Sequence, residues 1–174
     1  MKATGVVRRI DDLGRIVIPK EIRRNLRIRD GESLEIFVDG SDIVLKKFSI
    51  MKDVDSYASN LVDSMYSILK KSVIITDCDS VIACSSDVKD VFNKPISDSL
   101  SICIKRREKI LEKYNKDLFI TDDFSFCCKY VINSIIANGD CVGLVIIFDE
   151  SEIGDDEMLM SLIASKILSK SIEE

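Results

Sequence analysis

The spacing of apolar residues changes near residue 50, and this change predicts two folded parts. Before it, apolar residues occur in short runs separated by charged residues. The pair at residues 6–7 and the triplet at residues 16–18 are β-branched and predict two short strands. Between them, Asp-Asp-Leu-Gly-Arg at residues 11–15 is typical of a turn.

A helix is predicted directly after the second strand. Pro19 suits the first turn of a helix, because its missing N–H would be unsatisfied there and its fixed φ is already helical. Ile22 and Leu26 are four residues apart and are expected to form its buried stripe. We expect the helix to end near Asp30 and Gly31.

The next stretch predicts a hairpin, with strands at residues 34–38 and 43–45 around Asp39 and Gly40. Four strands and one helix in fewer than fifty residues bury little apolar surface. We therefore expect this part to form a dimer with interleaved strands.

The second part begins with a helical stripe. Its apolar residues are spaced four, three, four and three apart: Val54, Ala58, Leu61, Met65 and Ile68. This spacing is typical of a helix that faces its own core, and equally of a short self-association seam.

The rest of the second part predicts an antiparallel sheet between helices. Residues 73–75 and 81–84 predict a hairpin, and Ser97 is a candidate cap of a following helix. Asn138 and Gly139 lie between two apolar runs, which is the strongest short-range hairpin signal. Gly143 suggests a bulge or a close backbone approach. A final helix is expected from about Asp155, and the fold class is therefore α+β.

Charge is distributed unevenly between the two parts. Residues 1–29 carry nine Lys and Arg against three Asp and Glu, a balance of +6, whereas residues 48–174 carry 14 against 22, or −8. The whole-chain charge of −5 conceals this difference. A basic head on an acidic body predicts that the head binds a polyanion. The three acids can neutralise only part of the cationic cluster.

Other chemistry has little support in the sequence. All six cysteines lie after residue 77 without a C-x-x-C pair, and histidine is absent, so we expect no metal or cofactor. The cysteines are expected to be small buried residues, although a redox-sensing thiol stays an alternative. Asp and Glu pairs occur in polar stretches, so an enzyme is not expected. Without a candidate membrane span or signal peptide, we expect a cytoplasmic protein that does not bind membranes.

Two motifs resemble known families. The first part of the chain resembles the AbrB-type transition-state regulator DNA-binding domain. The resemblance lies in residues 8–28, RRIDDLGRIVIPKEIRRNLRI, and residues 31–47, GESLEIFVDGSDIVLKK. The order of elements after residue 53 is similar to a GAF domain, and residues 136–148, IANGDCVGLVIIF, resemble its late hairpin. The domains would cover residues 1–52 and 53–174.

The resemblance implies a fold, partners and a function. The N-terminal domain would be a small swapped-hairpin β-barrel dimer that binds double-stranded DNA, and GAF-like helices would join two dimers into a homotetramer. The protein would be a sequence-specific activator or repressor of sporulation genes. Matching residues for DNA binding are Arg8, Arg15, Arg23 and Arg24; charge and spacing alone add Arg9, Lys20 and Arg27.

Two functions of the C-terminal half stay open. A GAF-like pocket for an unidentified small molecule would lie beside the layer at residues 85–110, with walls that include Ser85, Ser86, Asp87, Cys103 and Cys128. Alternatively, an antitoxin-like or scaffold protein would bind a protein partner through this half. A toxin-binding tail is commonly short and disordered, so disorder after residue 53 would favour that alternative.

Overall fold

The chain divides into two compact units, Met1–Phe48 and Ser49–Glu174. The computed structural model describes residues 5–26, 28, 30–31, 33–47 and 55–173. The predicted domain boundary at residues 52 and 53 lies outside the described residues and stays a prediction.

The first unit consists of one short helix and one hairpin. Helix α1 spans Lys20–Asn25, and strands β1 (Leu34–Asp39) and β2 (Asp42–Lys47) pair antiparallel. The tight turn at Gly40, with φ of +59°, confirms the predicted hairpin. The helix is shorter than expected, because the chain leaves it at Leu26 rather than near Gly31.

Two predicted strands of this unit are not formed within one chain. The described residues 5–18 contain the predicted turn, but residues 6–7 and 16–18 pair with no strand. The predicted burial of Leu26 is wrong for the single chain, since this side chain is 58% exposed, and Ile22 is only half-buried. A strand needs a neighbour and an apolar stripe needs a covering layer, and the described residues of one chain provide neither to these two segments and this helix.

The second unit is a five-stranded antiparallel sheet between two helical layers. Its elements are α2 Asp55–Leu69, β3 Ser72–Thr76, β4 Val81–Cys84, α3 Asp98–Arg106, β5 Lys109–Phe119, β6 Ser125–Ala137, β7 Asp140–Asp149 and α4 Asp155–Glu173, with a 3-10 segment at Ser86–Val91. The sheet order is β4-β3-β7-β6-β5. This arrangement confirms the predicted α+β architecture, although β5 was not predicted.

Alternating side chains of the strands fill two separate cores. On one face Ile74, Leu144 and Ile146 pack with the 3-10 segment and α3. On the other face Val73, Val145 and Ile147 pack with α2 and α4. Apolar residues on both sides of the central strands explain their nearly continuous apolar sequence.

Local signals in the second unit agree with the structure. The Ser97 hydroxyl accepts a hydrogen bond from Leu100 N at 3.2 Å and caps α3. Asn138 and Gly139 have φ of 50° and 84°, as a tight hairpin turn requires. In α2, Ala58 and Met65 are buried, so part of the predicted stripe faces the core. Val54 lies outside the described residues.

Candidate nucleic-acid interface

The turn at residues 11–15 is held by one aspartate. Gly14 N donates to Asp11 O at 2.9 Å, and the φ of Gly14, +76°, is one that other residues rarely adopt. The Asp11 carboxylate accepts three further bonds: Oδ1 from Leu13 N at 3.0 Å and from Arg15 N at 2.8 Å, and Oδ2 from Arg15 Nε at 2.7 Å.

These bonds fix both the charge of Asp11 and the orientation of Arg15. The Arg15 backbone N–H and then its guanidinium lower the pKa of Asp11 below its ordinary value. The carboxylate therefore stays ionised at neutral pH. The Arg15 side chain is 71% exposed, and only its Nε is used by Asp11. Its two Nη groups lie at the end of the side chain, beyond the Nε that Asp11 holds.

Helix α1 presents further cations. Lys20 and Arg24 are exposed, whereas Arg23 is half-buried. Arg23 Nη1 donates to Asp30 Oδ1, and Arg23 Nε is buried without a hydrogen-bond partner. Arg23 is therefore partly engaged within the unit, and Lys20 and Arg24 are the more accessible pair.

The remaining candidates lie at the two ends of the cluster. Arg8 and Arg9 are exposed, and Arg8 Nη1 donates to the carbonyl of Val7 at 3.1 Å. Arg27 lies outside the described residues. Acids thus neutralise only part of the cationic cluster: Asp11 pairs with Arg15, and Asp30 pairs with Arg23.

The first unit also exposes an unusual amount of apolar surface. None of its described residues is buried. Twelve large apolar side chains are exposed: Val6, Val7, Ile10, Leu13, Ile16, Val17, Leu26, Ile36, Phe37, Val38, Ile43 and Leu45. So much exposed apolar surface is typical of an interaction surface.

The predicted pocket walls of the second unit serve the fold. The Ser85 hydroxyl is buried and accepts a hydrogen bond from Val73 N at 3.0 Å, which stabilises the start of β3. Ser86 and Asp87 are exposed, and Asp87 accepts a hydrogen bond from the Ser72 hydroxyl. Cys103 and Cys128 belong to the apolar core. This arrangement assigns no ligand.

Burial also explains the state of these two thiols. It raises the pKa of Cys103 to about 12, with Glu108 adding to the effect, and the pKa of Cys128 to about 12, with Cys127 adding to it. Both thiols are therefore protonated at neutral pH and poor nucleophiles. None of the six cysteines forms a disulfide bond.

Metal and membrane sites have no support in the described part of the chain. No group of three or more Cys, Asp or Glu side chains there could hold a metal ion. Within the same residues, no helix is both long and apolar enough to cross a membrane.

Each of the two units matches a known protein family. Residues 53–173 match the family described as stage V sporulation protein T C-terminal, transcription factor. Residues 7–50 match the family described as antidote-toxin recognition MazE, bacterial antitoxin. The first match covers more than half of the chain.

Individual relatives agree with the family models. The chain is 43% identical to stage V sporulation protein T of Bacillus subtilis (strain 168), over 100% of both chains. It is also 56% identical over 48 residues to transition state regulatory protein AbrB of the same organism, covering 28% of this chain and 50% of AbrB. The resemblance of the first unit to the AbrB type is thus confirmed.

The fold of the second unit is similar to that of a solved GAF domain. This domain, from a phosphoenolpyruvate-protein phosphotransferase of Coxiella burnetii, has a TM-score of 0.55 at 13% identity and covers 71% of this chain and 88% of its own. The likeness confirms the GAF-like fold. Because a full-length relative is 43% identical and the family model matches residues 53–173, the chain belongs to the stage V sporulation protein T family of transcription factors.

Proposed function

We propose that this transcription factor binds double-stranded DNA sequence-specifically as a homodimer and regulates sporulation genes, with the basic residues 8–27 as its contact surface. The observation that carries the proposal is the exposure of Arg8, Arg9, Arg15, Lys20 and Arg24 in a stretch with few acids. Arg23 is included because the family resemblance matches it, although Asp30 engages its Nη1, and Arg27 is included from its charge and spacing. Contact with chromosomal DNA implies a cytoplasmic location.

Arginine suits both parts of this task. A guanidinium neutralises phosphates and can also donate two parallel bonds to O6 and N7 of guanine in the major groove. Phosphate contacts would supply affinity and orientation, and base contacts would supply discrimination between sequences. Residues 1–29 have a charge of +6, which favours both.

The dimer is proposed from the exposed apolar surface of the first unit. Residues 6–7 and 16–18 are β-branched and pair with no strand among the described residues of one chain. Interleaving with the same segments of a second copy would complete their hydrogen bonds and cover the twelve exposed apolar side chains. A dimer would also present two basic surfaces to one duplex.

The folding of the second unit weakens the antitoxin-like or scaffold alternative. Residues 55–173 form a sheet with two filled cores rather than a disordered tail. The family match to a MazE antitoxin covers only the first unit. We therefore propose DNA rather than a protein as the main partner, and the proposed role is not catalytic.

A matched pair of arginine substitutions tests the contact surface. Arg15→Ala should weaken binding of the full-length protein to duplex DNA about tenfold or more, because each protomer of a dimer loses a base or phosphate contact of about 1–3 kcal/mol. Arg106→Ala, at the end of α3, is the control: this arginine is exposed, and its Nη1 pairs with Glu108 Oε1 at 3.5 Å. Equal effects of both substitutions in a gel-shift titration would contradict the proposed surface.

A further inference from the structure

Asp11 is more than a turn residue, because its carboxylate has two separate tasks. Oδ1 accepts both backbone N–H groups of the turn, at 3.0 Å from Leu13 and 2.8 Å from Arg15. Oδ2 accepts the side-chain Nε of Arg15 at 2.7 Å. One oxygen thus holds the backbone and the other holds the guanidinium.

The second bond restricts how Arg15 can meet a ligand. A guanidinium has five donor hydrogens, in a planar fork. With the Nε–H used by Asp11, four donor hydrogens remain on the two Nη groups, and one from each group points end-on. Two parallel donors of this kind match paired acceptors, such as O6 and N7 of guanine or two oxygens of a phosphate.

The geometry points to Asp11 as a positioning residue that aims the Arg15 fork at paired acceptors of duplex DNA; this inference rests on the proposed function. Holding a long side chain in its binding orientation lowers the entropy that binding would otherwise cost. The bond is local, between residues four apart in one turn. It therefore needs no contribution from the second unit.

Simple electrostatics makes the opposite prediction, which gives the inference a clear test. Asp11 is an anion on the proposed DNA-binding surface, so removing its charge should strengthen binding to phosphates. Positioning predicts weaker binding instead. Asp12 provides the matched control, because it is an exposed acid in the same turn and Asp12→Asn removes the same charge.

The experiment compares Asp11→Asn with Asp12→Asn in the full-length protein. Asparagine keeps an oxygen acceptor for the two backbone N–H groups, and it is a favourable turn residue, so the turn should persist. Affinities are measured for a duplex that the wild-type protein has selected from a random pool, and for a shuffled duplex of the same composition. We expect Asp11→Asn to bind the selected duplex about three- to tenfold more weakly than Asp12→Asn.

The second duplex distinguishes the two kinds of acceptor. If the fork meets a guanine edge, Asp11→Asn loses affinity for the selected duplex and not for the shuffled one. If the fork meets phosphate oxygens, Asp11→Asn weakens both duplexes equally. Either result supports the positioning role of Asp11, provided that Asp12→Asn loses affinity for neither duplex.

A double-mutant cycle excludes a general structural effect. In an Arg15→Ala background, Asp11→Asn and Asp12→Asn should change affinity by the same factor, because no fork remains to be aimed. Arg15→Lys adds a variant that leaves the backbone bonds of the turn in place: it keeps the charge but lacks the fork. It should lose at least as much affinity for the selected duplex as Asp11→Asn does.

Different failures have different meanings. If Asp11→Asn and Asp12→Asn bind alike, or if Arg15→Lys binds as the wild type does, the positioning role is overturned while DNA binding stands. If wild-type protein binds neither duplex at low salt, the proposed function and the positioning role are both overturned.

Discussion

Gly143 shows how one residue can decide whether two strands fit together. Here the backbone of β7 passes the end of β3, and a Cβ added to Gly143 would lie 2.0 Å from the carbonyl oxygen of Thr76. No flexible side chain can move to relieve that contact, because the nearest atoms belong to the backbone. The sequence signal of an isolated glycine in a strand predicted this close approach correctly.

Gly143→Ala should therefore destabilise the second unit by about 1–3 kcal/mol, the usual cost of overpacking. Urea denaturation followed by circular dichroism would measure the loss. Gly154→Ala is the matched control, since a Cβ added there would meet open space. A stability of Gly143→Ala equal to that of Gly154→Ala would contradict the described packing of β3 against β7.

Lys71 and Glu157 form an ion pair that fastens the start of α4. Their side chains are only 15% and 11% exposed. Glu157 Oε1 accepts from Lys71 Nζ, and Oε2 accepts from Gly154 N at 2.8 Å. Burial raises the pKa of Glu157, but the hydrogen bonds from Lys71 and Gly154 outweigh it, so the pKa lies below its ordinary value of 4.5.

A lowered carboxyl pKa has a defined effect on stability. The folded state favours the ionised form, so the contribution is fully present above the unfolded pKa and is lost as pH falls through the folded pKa. Glu157→Gln should reduce the free energy of unfolding by about 1–3 kcal/mol at neutral pH. The difference from wild type should shrink as pH falls below 4.5.

Glu152→Gln is the control for this pair. Lys71 bonds to the backbone carbonyl of Glu152 and not to its exposed carboxylate, so this substitution should leave stability unchanged. Urea titrations at neutral and acidic pH would measure all three proteins. A constant difference between wild type and Glu157→Gln at every pH would contradict the pKa argument.

The ion pair also shows what the sequence could not predict at this scale. Its partners are separated by 86 positions, and nothing in the local pattern joins them. The Asp11 bond to Arg15 is different, because Asp at the start of a turn commonly bonds nearby backbone groups. Turn composition and charge predict Asp11 as a turn residue and a neutralising acid, but they do not identify its bond to the Arg15 side chain.

At the scale of elements, tight turns and buried strands were predictable and an edge strand was not. The hairpin at Asn138 and Gly139 was predicted from turn chemistry and a β-branched apolar sequence. Strand β5 was missed, because charged residues interrupt its apolar alternation in the sequence KILEKYNKDLF. It lies at the edge of the sheet, where lysines discourage pairing with other chains and the alternation need not be strict.

Helices α2 and α4 carry a second apolar surface beyond their core-facing stripes. On α2, Tyr57 and Ile68 are exposed, and on α4, Leu159, Ile163 and Ile167 are exposed at intervals of four. Both helices pack on the same face of the sheet. The predicted core-facing stripe is thus confirmed in part. We propose that the exposed residues form the contact of the homotetramer that the family resemblance implies.

Ile163→Asn should reduce this tetramer to a dimer, because a polar amide would lie in the centre of the apolar stripe. The expected halving of mass is measured by light scattering after gel filtration. Lys166→Asn introduces the same side chain at an exposed polar position of α4 and should leave the mass unchanged. An identical mass for both variants and the wild type would contradict a contact through this stripe.

At the scale of the whole molecule, charge is separated along the chain. The head at residues 1–29 has a charge of +6, and residues 48–174 have −8. The acidic body repels a polyanion, so a DNA contact is expected to depend on the head alone. This separation was readable from the sequence, whereas the proposed pairing between copies was suggested only by small size and by resemblance.

The measurement that tests the central claim most directly is the affinity of the full-length protein for duplex DNA across a series of salt concentrations. If two protomers contribute about four phosphate contacts each, log affinity should fall with log salt at a slope of about −7. Arg15→Ala should bind more weakly, and its slope should be shallower if Arg15 contacts phosphate. Binding that is absent at low salt, or that does not change with salt, would contradict DNA recognition by the basic surface.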